Sequence, residues 1–376
     1  MKISILSAFY PFRGGIAHFN ESLVRELDKD HQVQVNTFRT QYPRFLFPGK
    51  SQFVEKKNYA WEGRAHRIAS PFNVFSFFNA SRTIKGQEPE IFVANYWVTA
   101  FAPLISFLGW RLRKRATRIL LVHNLVPHEK RFFDTWMNRL VLNQFDGFVA
   151  LSETVKNDIL HVRKDAKVCV IQHPWYDQFK EPVSKAEACE KLGIDPSSKV
   201  LLFFGLVRNY KGLDVLLNAF SELDDSYHLV IAGEFYTDKQ EFDVWFNDPA
   251  LKERLHIHDR FIPDDEVHLF FSAADLCVLP YRSATQSGVS ATSFQFGVPV
   301  VVTDVGGLSQ TVREMGVVVP LERPDLLREA LQDIFSEGKL LKMIQAIETE
   351  RSNNSWKSFS SELVHFAETL RVSQDK

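Results

Sequence analysis

The run Ala274-Asp-Leu-Cys-Val-Leu-Pro280, followed by Tyr281-Arg-Ser-Ala-Thr-Gln-Ser-Gly-Val-Ser290 and then by Gly297-Val-Pro-Val-Val-Val-Thr-Asp-Val-Gly-Gly307, reads as strand, polar loop, helix entry, strand and glycine turn. A short continuous apolar run that ends in hydroxyl, amide and glycine residues marks a buried parallel strand delivering a loop to the sheet edge. Such a loop presents backbone N–H groups and hydroxyls where a helix starts, and that arrangement holds anions, phosphate above all. The stretch therefore predicts an α/β domain with a phosphate-binding edge.

Working outward, the pattern repeats in both halves of the chain. In the first, Ile3 to Ser7, Gln32 to Phe38, Glu90 to Asn95, Arg118 to His123, Gly147 to Leu151 and Lys167 to Gln172 read as strands. Helices are expected over Ile16 to Leu27, over Phe133 to Asn143 and, capped by Ser152, over Ser152 to Leu160. The segment from His173 to about Ser198 is polar and aperiodic, which suits an interdomain connection. A second series follows: strands at Lys199 to Gly205, Tyr227 to Gly233, Leu255 to Phe261, Leu276 to Leu279 and Val298 to Thr303, with helices at Leu213 to Leu223 and Asp264 to Phe271. Strands alternating with helices predict two doubly wound domains. Their expected bounds are 1–175, with a C-terminal helix of about 355–376 packing back on it, and 176–354; the tail from Val372 to Lys376 is expected to fray.

A chain of 376 residues is long enough for two cores, and a formal net charge of −1 argues against a nucleic-acid partner, which calls for a basic excess. Three cysteines, Cys169, Cys189 and Cys277, fit neither a disulfide framework nor a zinc motif, so a reducing cytoplasm is the expected compartment. The start, Met1-Lys-Ile-Ser-Ile-Leu, reads as a first strand rather than a leader.

Phenylalanine is unusually frequent, at 33 residues, many in the first half as in Phe72-Asn-Val-Phe-Ser-Phe-Phe78, and most are expected in the core. Tyr96 to Leu112 is the one stretch that approaches a membrane span. It contains Pro103 and Gly109, lies between two strands, and ends in Arg111, Arg113, Lys114 and Arg115. A βαβ crossover helix is the better expectation, with part of that face resting on a membrane surface at the cytoplasmic side.

The distinctive residues fall just beyond strand ends: Gly14-Gly15, His123-Asn124, Arg208 with Lys211-Gly212, Gly233-Glu234, Phe261-Ile262, Tyr281 to Gly288 and Gly306-Gly307. Open α/β sheets bind ligands there. His128-Glu129 and His256-Ile-His258 match no zinc spacing, so no metal site is expected.

These residues resemble the GT-B-fold glycosyltransferases, in particular the family 4 group of retaining, nucleotide-sugar-dependent enzymes. The resemblance covers nearly the whole chain, from Phe9-Tyr-Pro-Phe-Arg-Gly-Gly to Val302-Thr-Asp-Val-Gly-Gly. It is carried most specifically by Phe203-Phe-Gly-Leu-Val-Arg-Asn-Tyr-Lys-Gly-Leu-Asp214, Val230-Ile-Ala-Gly-Glu234, Arg260-Phe-Ile-Pro-Asp-Asp-Glu266 and Ser272 to Tyr281. It implies two facing Rossmann-like domains around a cleft, and sugar transfer from a nucleotide-sugar co-substrate to a carbohydrate or lipid-linked acceptor with no further cofactor and no metal. Lys211, and Arg208 beside it, would take up charge on the departing diphosphate. His123 would sit near the transferred sugar or the acceptor. Gly14, Gly15 and Gly205 would let backbone approach the donor. Gly233, Glu234, Phe261, Ile262, Tyr281, Ser283, Gln286, Ser287, Gly288, Val289 and Thr292 complete the implied donor site, the 287–289 amides for the pyrophosphate and the 261–262 backbone for the base.

Two departures stand out. The family arginine that directly follows the strand-ending glycine is replaced by Leu206, with the cation at Arg208. The two family glutamates eight residues apart are replaced by Ala284 and Thr292, so the ribose must be held without a carboxylate. Those losses keep open a second class, a non-catalytic GT-B scaffold or partner subunit. An epimerase would want cleft carboxylates, and a phosphorylase a longer chain.

Overall fold

The computed structural model describes residues 1–12, 14–41, 53, 63–125, 134–177, 179–284, 287–336, 338–351 and 353–372. The chain forms two compact units, Met1–Pro174 together with Asn354–Lys376, and Trp175–Asn353. Thr285, Gln286, the His128-Glu129 pair and the last four residues lie outside the described part.

The first unit runs β1 (Lys2–Leu6), α1 (Gly15–Leu27), β2 (Gln32–Phe38), β3 (His66–Ala69), α2 (Val74–Gly86), β4 (Ile91–Tyr96), α3 (Ala102–Leu112), β5 (Thr117–Val122), α4 (Asp134–Leu142), β6 (Gly147–Ala150), α5 (Glu153–Val162) and β7 (Val168–Val170). Its seven strands lie in the order β3-β2-β1-β4-β5-β6-β7, and every pairing is parallel. Ile3 pairs with Val33 on one side and Ile91 on the other. The order reverses between β1 and β4, which is where such sheets open a crevice at their carboxyl ends. Continuous apolar runs such as Ile91–Tyr96 are buried throughout because helices cover both faces.

The second unit runs α6 (Lys185–Leu192), β8 (Lys199–Phe204), α7 (Leu213–Ser221), β9 (Tyr227–Ala232), α8 (Asp243–Phe246), β10 (Leu255–His258), α9 (Asp264–Ala273), β11 (Leu276–Leu279), α10 (Gly288–Gln295), β12 (Val300–Thr303), α11 (Leu308–Val312), β13 (Gly316–Val319), α12 (Pro324–Ile334) and α13 (Lys339–Glu350). Its strands order as β10-β9-β8-β11-β12-β13, again all parallel, with the reversal between β8 and β11.

A last helix, α14 (Trp356–Val372), returns to the first unit. There Phe19 of α1 is fully buried, with rings of Trp356 and Phe359 edge-on at 5.1 and 5.4 Å. Arg371 at the far end of the helix pairs with Glu90 at 3.0 Å.

Three features differ from the sequence expectations. Lys185–Leu192, inside the stretch read as a connection, is a helix of the second unit, capped by Ser184 and tied to the sheet by Lys185 on Asp275 at 2.7 Å. Its mostly polar sequence buries only Ala188 and Cys189, too short a stripe to show a period. The strand expected to reach Phe261 stops at His258. The phenylalanine-rich segment forms α2, and its Phe72, Phe75 and Phe78 are exposed rather than in the core.

The Tyr96–Leu112 segment is the end of β4 plus an eleven-residue α3 with Leu104, Ile105, Leu108 and Leu112 fully buried. Among the described residues no helix is long and apolar enough to cross a membrane.

Candidate active site

In the second unit, β8 ends at Phe204 and the chain turns through Gly205 into a short 3-10 turn, Asn209–Lys211. Gly212 closes that turn in the left-handed conformation at φ 67°, and a Cβ there would run into the carbonyl of Pro280 at the end of β11. The close approach presses the turn against the neighbouring strand end, and Arg282 completes the clamp. Its backbone N–H donates to Tyr210 O at 2.7 Å, and its guanidinium donates to Asn209 O at 2.6 Å and to both oxygens of Asp214 at 2.6 and 2.9 Å. Arg282 also pairs with Glu322.

The product of this clamp is a buried lysine. Lys211 is 8% exposed, and Nζ lies 5.2 Å from the Tyr281 ring centroid. A Cβ on Gly205 would sit 3.2 Å from Nζ and 3.5 Å from Val289. Residues 205 and 211 of the turn after β8 therefore converge with residues 281 and 289 beyond β11. Burial first, and the Arg208 guanidinium second, hold the Lys211 ammonium down at about 8. Arg208 itself rests on the Tyr236 ring at 5.2 Å. Among the described residues, neither cation has a carboxylate within 4 Å. Two neighbouring cations without an anion form a site of positive potential in a partly dry setting, where an anionic ligand is held strongly.

Helix α10 starts beside them. Ser287 caps it, accepting from the Val289 N–H at 3.2 Å. That bond occupies the Val289 amide expected for the pyrophosphate, because the capping hydroxyl satisfies the first turn itself. The Thr292 hydroxyl, where a family glutamate would stand, donates to Gly288 O at 2.9 Å within the helix and has only lone pairs left for a ligand. Ser283 is half-buried on the same loop, and Gln286 lies outside the described residues.

Behind the site, Val207 donates to Glu234 O at 2.9 Å and Tyr236 to Val207 O at 2.9 Å, so the segments after β8 and β9 run together. Gly233 packs on Gly205 O, and the Glu234 side chain is buried. Phe261 and Ile262 follow β10 by three residues, the first 36% exposed and the second buried. The Cys277 thiol on β11 is buried and pushed up to about 12, which keeps it protonated and inert.

In the first unit, Gly14 caps α1 at φ 112°, a conformation that a side chain would strain, with open space where its Cβ would be; Gly15 begins the helix. His123 follows β5 and is buried, its Nε2 donating to Asn95 Oδ1 at 2.7 Å. Burial, and then His173, lower its pKa to about 3, so the ring is neutral at physiological pH. Its Nδ1 can accept a hydrogen bond from a hydroxyl but adds no charge. Asn95 Nδ2 and Asn124 Oδ1, at the same strand ends, are buried without a partner among the described residues. No cluster of three or more His, Cys, Asp or Glu side chains that could hold a metal ion occurs among the described residues.

Comparison with known proteins places this arrangement. The model for glycosyltransferase family 4 matches residues 13–174, and that for glycosyl transferases group 1 matches residues 198–337. The chain belongs to glycosyltransferase family 4. A D-inositol 3-phosphate glycosyltransferase of Catenulispora acidiphila is 29% identical to the family 4 chain over 188 residues, 46% of this chain and 45% of the relative. The family 4 chain thus spans about half the length of the curated relative it matches. Sucrose-phosphate synthase from Thermosynechococcus elongatus superposes with a TM-score of 0.76 at 19% identity over 99% of both chains. Anabaena HepE, solved with UDP, gives 0.70 at 14% identity over 100% of both. These likenesses establish the GT-B fold of the family 4 chain.

Two parts of the family 4 site were not foreseen from sequence. Tyr236, the platform for Arg208, carries no motif of its own. The Asp214, Arg282 and Glu322 cluster joins residues 68 and 40 positions apart, a distance no local pattern reveals.

Proposed function

We propose that this family 4 protein is a glycosyltransferase that moves a sugar from a nucleotide-sugar donor to an acceptor hydroxyl. The observation that carries the reading is the pair Lys211 and Arg208, held side by side without a carboxylate among the described residues. As the bond from the sugar to the diphosphate breaks, the diphosphate leaves with the electron pair, and these cations would receive its charge. The Gly288 end of α10 would add a backbone dipole of favourable sign. Retention of configuration and independence of metal are part of the proposal, on the strength of the family resemblance and the cationic pair. The UDP bound by HepE supports a nucleoside diphosphate as the leaving group. Gly14, Gly15 and His123, with the unpartnered Asn95 and Asn124 atoms, would serve the sugar and acceptor. A lipid-linked or cell-surface glycan at the inner face of the membrane is the acceptor class we assign.

Isothermal titration of the full chain with UDP, GDP, ADP and CMP, followed by a donor-hydrolysis and transfer screen, tests the proposal. Micromolar binding of one nucleotide and its loss in Lys211→Ala are expected. Absence of binding to every nucleotide would favour a scaffold instead.

A further inference from the structure

Residues 63–125 contain nine Lys or Arg and only two acids, Glu88 and Glu90, while the whole chain has a net charge of −1. Six of the nine, Arg82, Lys85, Arg111, Arg113, Lys114 and Arg115, lie on α2 and at the end of α3, which pack side by side. Phe77 and Phe78 of α2 meet Phe107 of α3 at 5.9 and 5.0 Å, and Arg111 donates to Ser81 Oγ at 3.3 Å. Helical spacing divides α2 into two faces. Phe77, Ala80, Ser81 and Ile84 are buried, whereas Phe75, Phe78, Arg82 and Lys85, at spacings of three, four and three, line a stripe turned away from the core.

That stripe is apolar at its start and basic at its end. Phe75 is 87% exposed and Phe78 58%, with Phe72 and Val74 exposed beside them. The α3 end continues it: Trp110 is exposed, with the Arg111 and Arg113 guanidiniums 5.7 and 5.9 Å from its ring. Lys114 and Arg115 follow, both exposed. Among the described residues none of Arg82, Lys85, Arg111, Arg113, Lys114 and Arg115 has an acidic partner within 4 Å. Lys85 is depressed by partial desolvation and by the Arg111 and Arg115 charges, as expected of like charges crowded together.

A folded domain seldom exposes so many aromatic rings together, and an apolar patch of this kind marks an interaction surface. Rings that stand clear of the surface do not form a groove for a peptide. Aromatic residues set among unpaired guanidinium and ammonium groups are the composition that settles into the headgroup layer of a bilayer, rings inward and cations on the lipid phosphates.

We propose that the exposed stripe of α2, together with the Trp110–Arg115 end of α3, docks this protein on the surface of an anionic lipid bilayer. The inference deepens the membrane-side part of the proposed function, yet vesicle binding requires no donor. A chain that binds vesicles but no nucleotide overturns the sugar-transfer reading alone, and the converse overturns only this one.

The test is co-sedimentation of the full chain with vesicles of phosphatidylcholine alone and with about 30% phosphatidylglycerol, at about 0.1 M salt. Binding is expected only to the anionic vesicles. Phe75→Ser with Phe78→Ser should weaken it about tenfold. Arg113→Gln, Lys114→Gln and Arg115→Gln together should weaken it about a hundredfold, near fivefold for each charge removed. All these side chains are exposed, and unchanged melting temperatures will report that the variants remain folded. Failure to bind anionic vesicles, or equal binding by wild type and both variants, overturns the proposal. So does a dimer in sedimentation velocity that Phe75→Ser dissociates, since that would make a second copy the occupant.

Discussion

The Lys211 ammonium is held 5.2 Å from the centre of the Tyr281 ring, and both residues are buried at the carboxyl edge of the second sheet. Burial pushes the Tyr281 phenol well above its ordinary value, so the ring is a neutral partner. An aromatic face attracts the cation without neutralising it, unlike a carboxylate. The charge therefore remains available to a ligand.

Replacement of Lys211 by alanine should weaken binding of the preferred nucleoside diphosphate about 10- to 150-fold, the range for losing a hydrogen bond to a charged group. Turnover in a transfer assay should fall further, by about two to three orders of magnitude, because charge develops as the donor bond breaks. Isothermal titration and initial rates measure the two effects separately. Arg208→Ala should follow the same direction with a smaller loss, since Arg208 lies against Tyr236 at the margin.

The same lysine should cost stability. Its pKa is about 8 when folded against 10.5 ordinarily, so between those values the unfolded chain binds a proton that the folded chain does not. Stability therefore rises with pH across that window, and the cost is present in full below about pH 8, on the order of a few kcal/mol. Lys211→Met should raise the urea midpoint at pH 7 and remove this alkaline gain. An unchanged midpoint would contradict the assignment of a buried ammonium.

His123 and His173 make the opposite end of the pH scale informative. Burial is the main cause in both, and their pKa values fall to about 3 and about 4. Unfolding between about pH 4 and 6.5 should take up close to two protons, so stability present above pH 6.5 is lost as pH falls through this range. His173→Phe should reduce the slope of unfolding free energy near pH 5 by about 1.4 kcal/mol per pH unit. The His123 ring resonances in an NMR titration should stay flat from pH 5 to 8.

Arg282 acts on Lys211 through the backbone of Tyr210 and Asn209. Arg282→Ala should lower stability by about 2 kcal/mol, a figure kept modest because the side chain is partly exposed. It should also weaken nucleotide binding less than Lys211→Ala does. Arg282→Lys should restore stability only in part, because one ammonium cannot serve Asp214, Glu322 and Asn209 O together. Urea titration and calorimetry on the three variants check the order.

Much of this was legible in the residues. Apolar runs such as Val300–Thr303 read as buried parallel strands, and the glycines placed just after such runs marked the carboxyl ends of the strands. Lys211 stood out because it lies just beyond a predicted strand, within the segment Phe203–Asp214 that resembles the family. What stayed hidden depended on distance or on sparse burial. The Arg282 clamp joins residues far apart in sequence, and α6 buries too little to display a period. The phenylalanines of α2 misled for a different reason, since hydrophobicity alone does not tell a ring that fills a core from one that awaits a partner.

The return of α14 to the first unit means that Phe19, made before the second unit, receives Trp356 and Phe359 only after the second unit has been made. The whole second unit, Trp175–Asn353, can be made and can close its own sheet while the first is still missing a wall. Of the two units, the one begun first is therefore completed second, and a ribosome stalled before residue 354 would leave Phe19 without these two rings however well the second unit had folded.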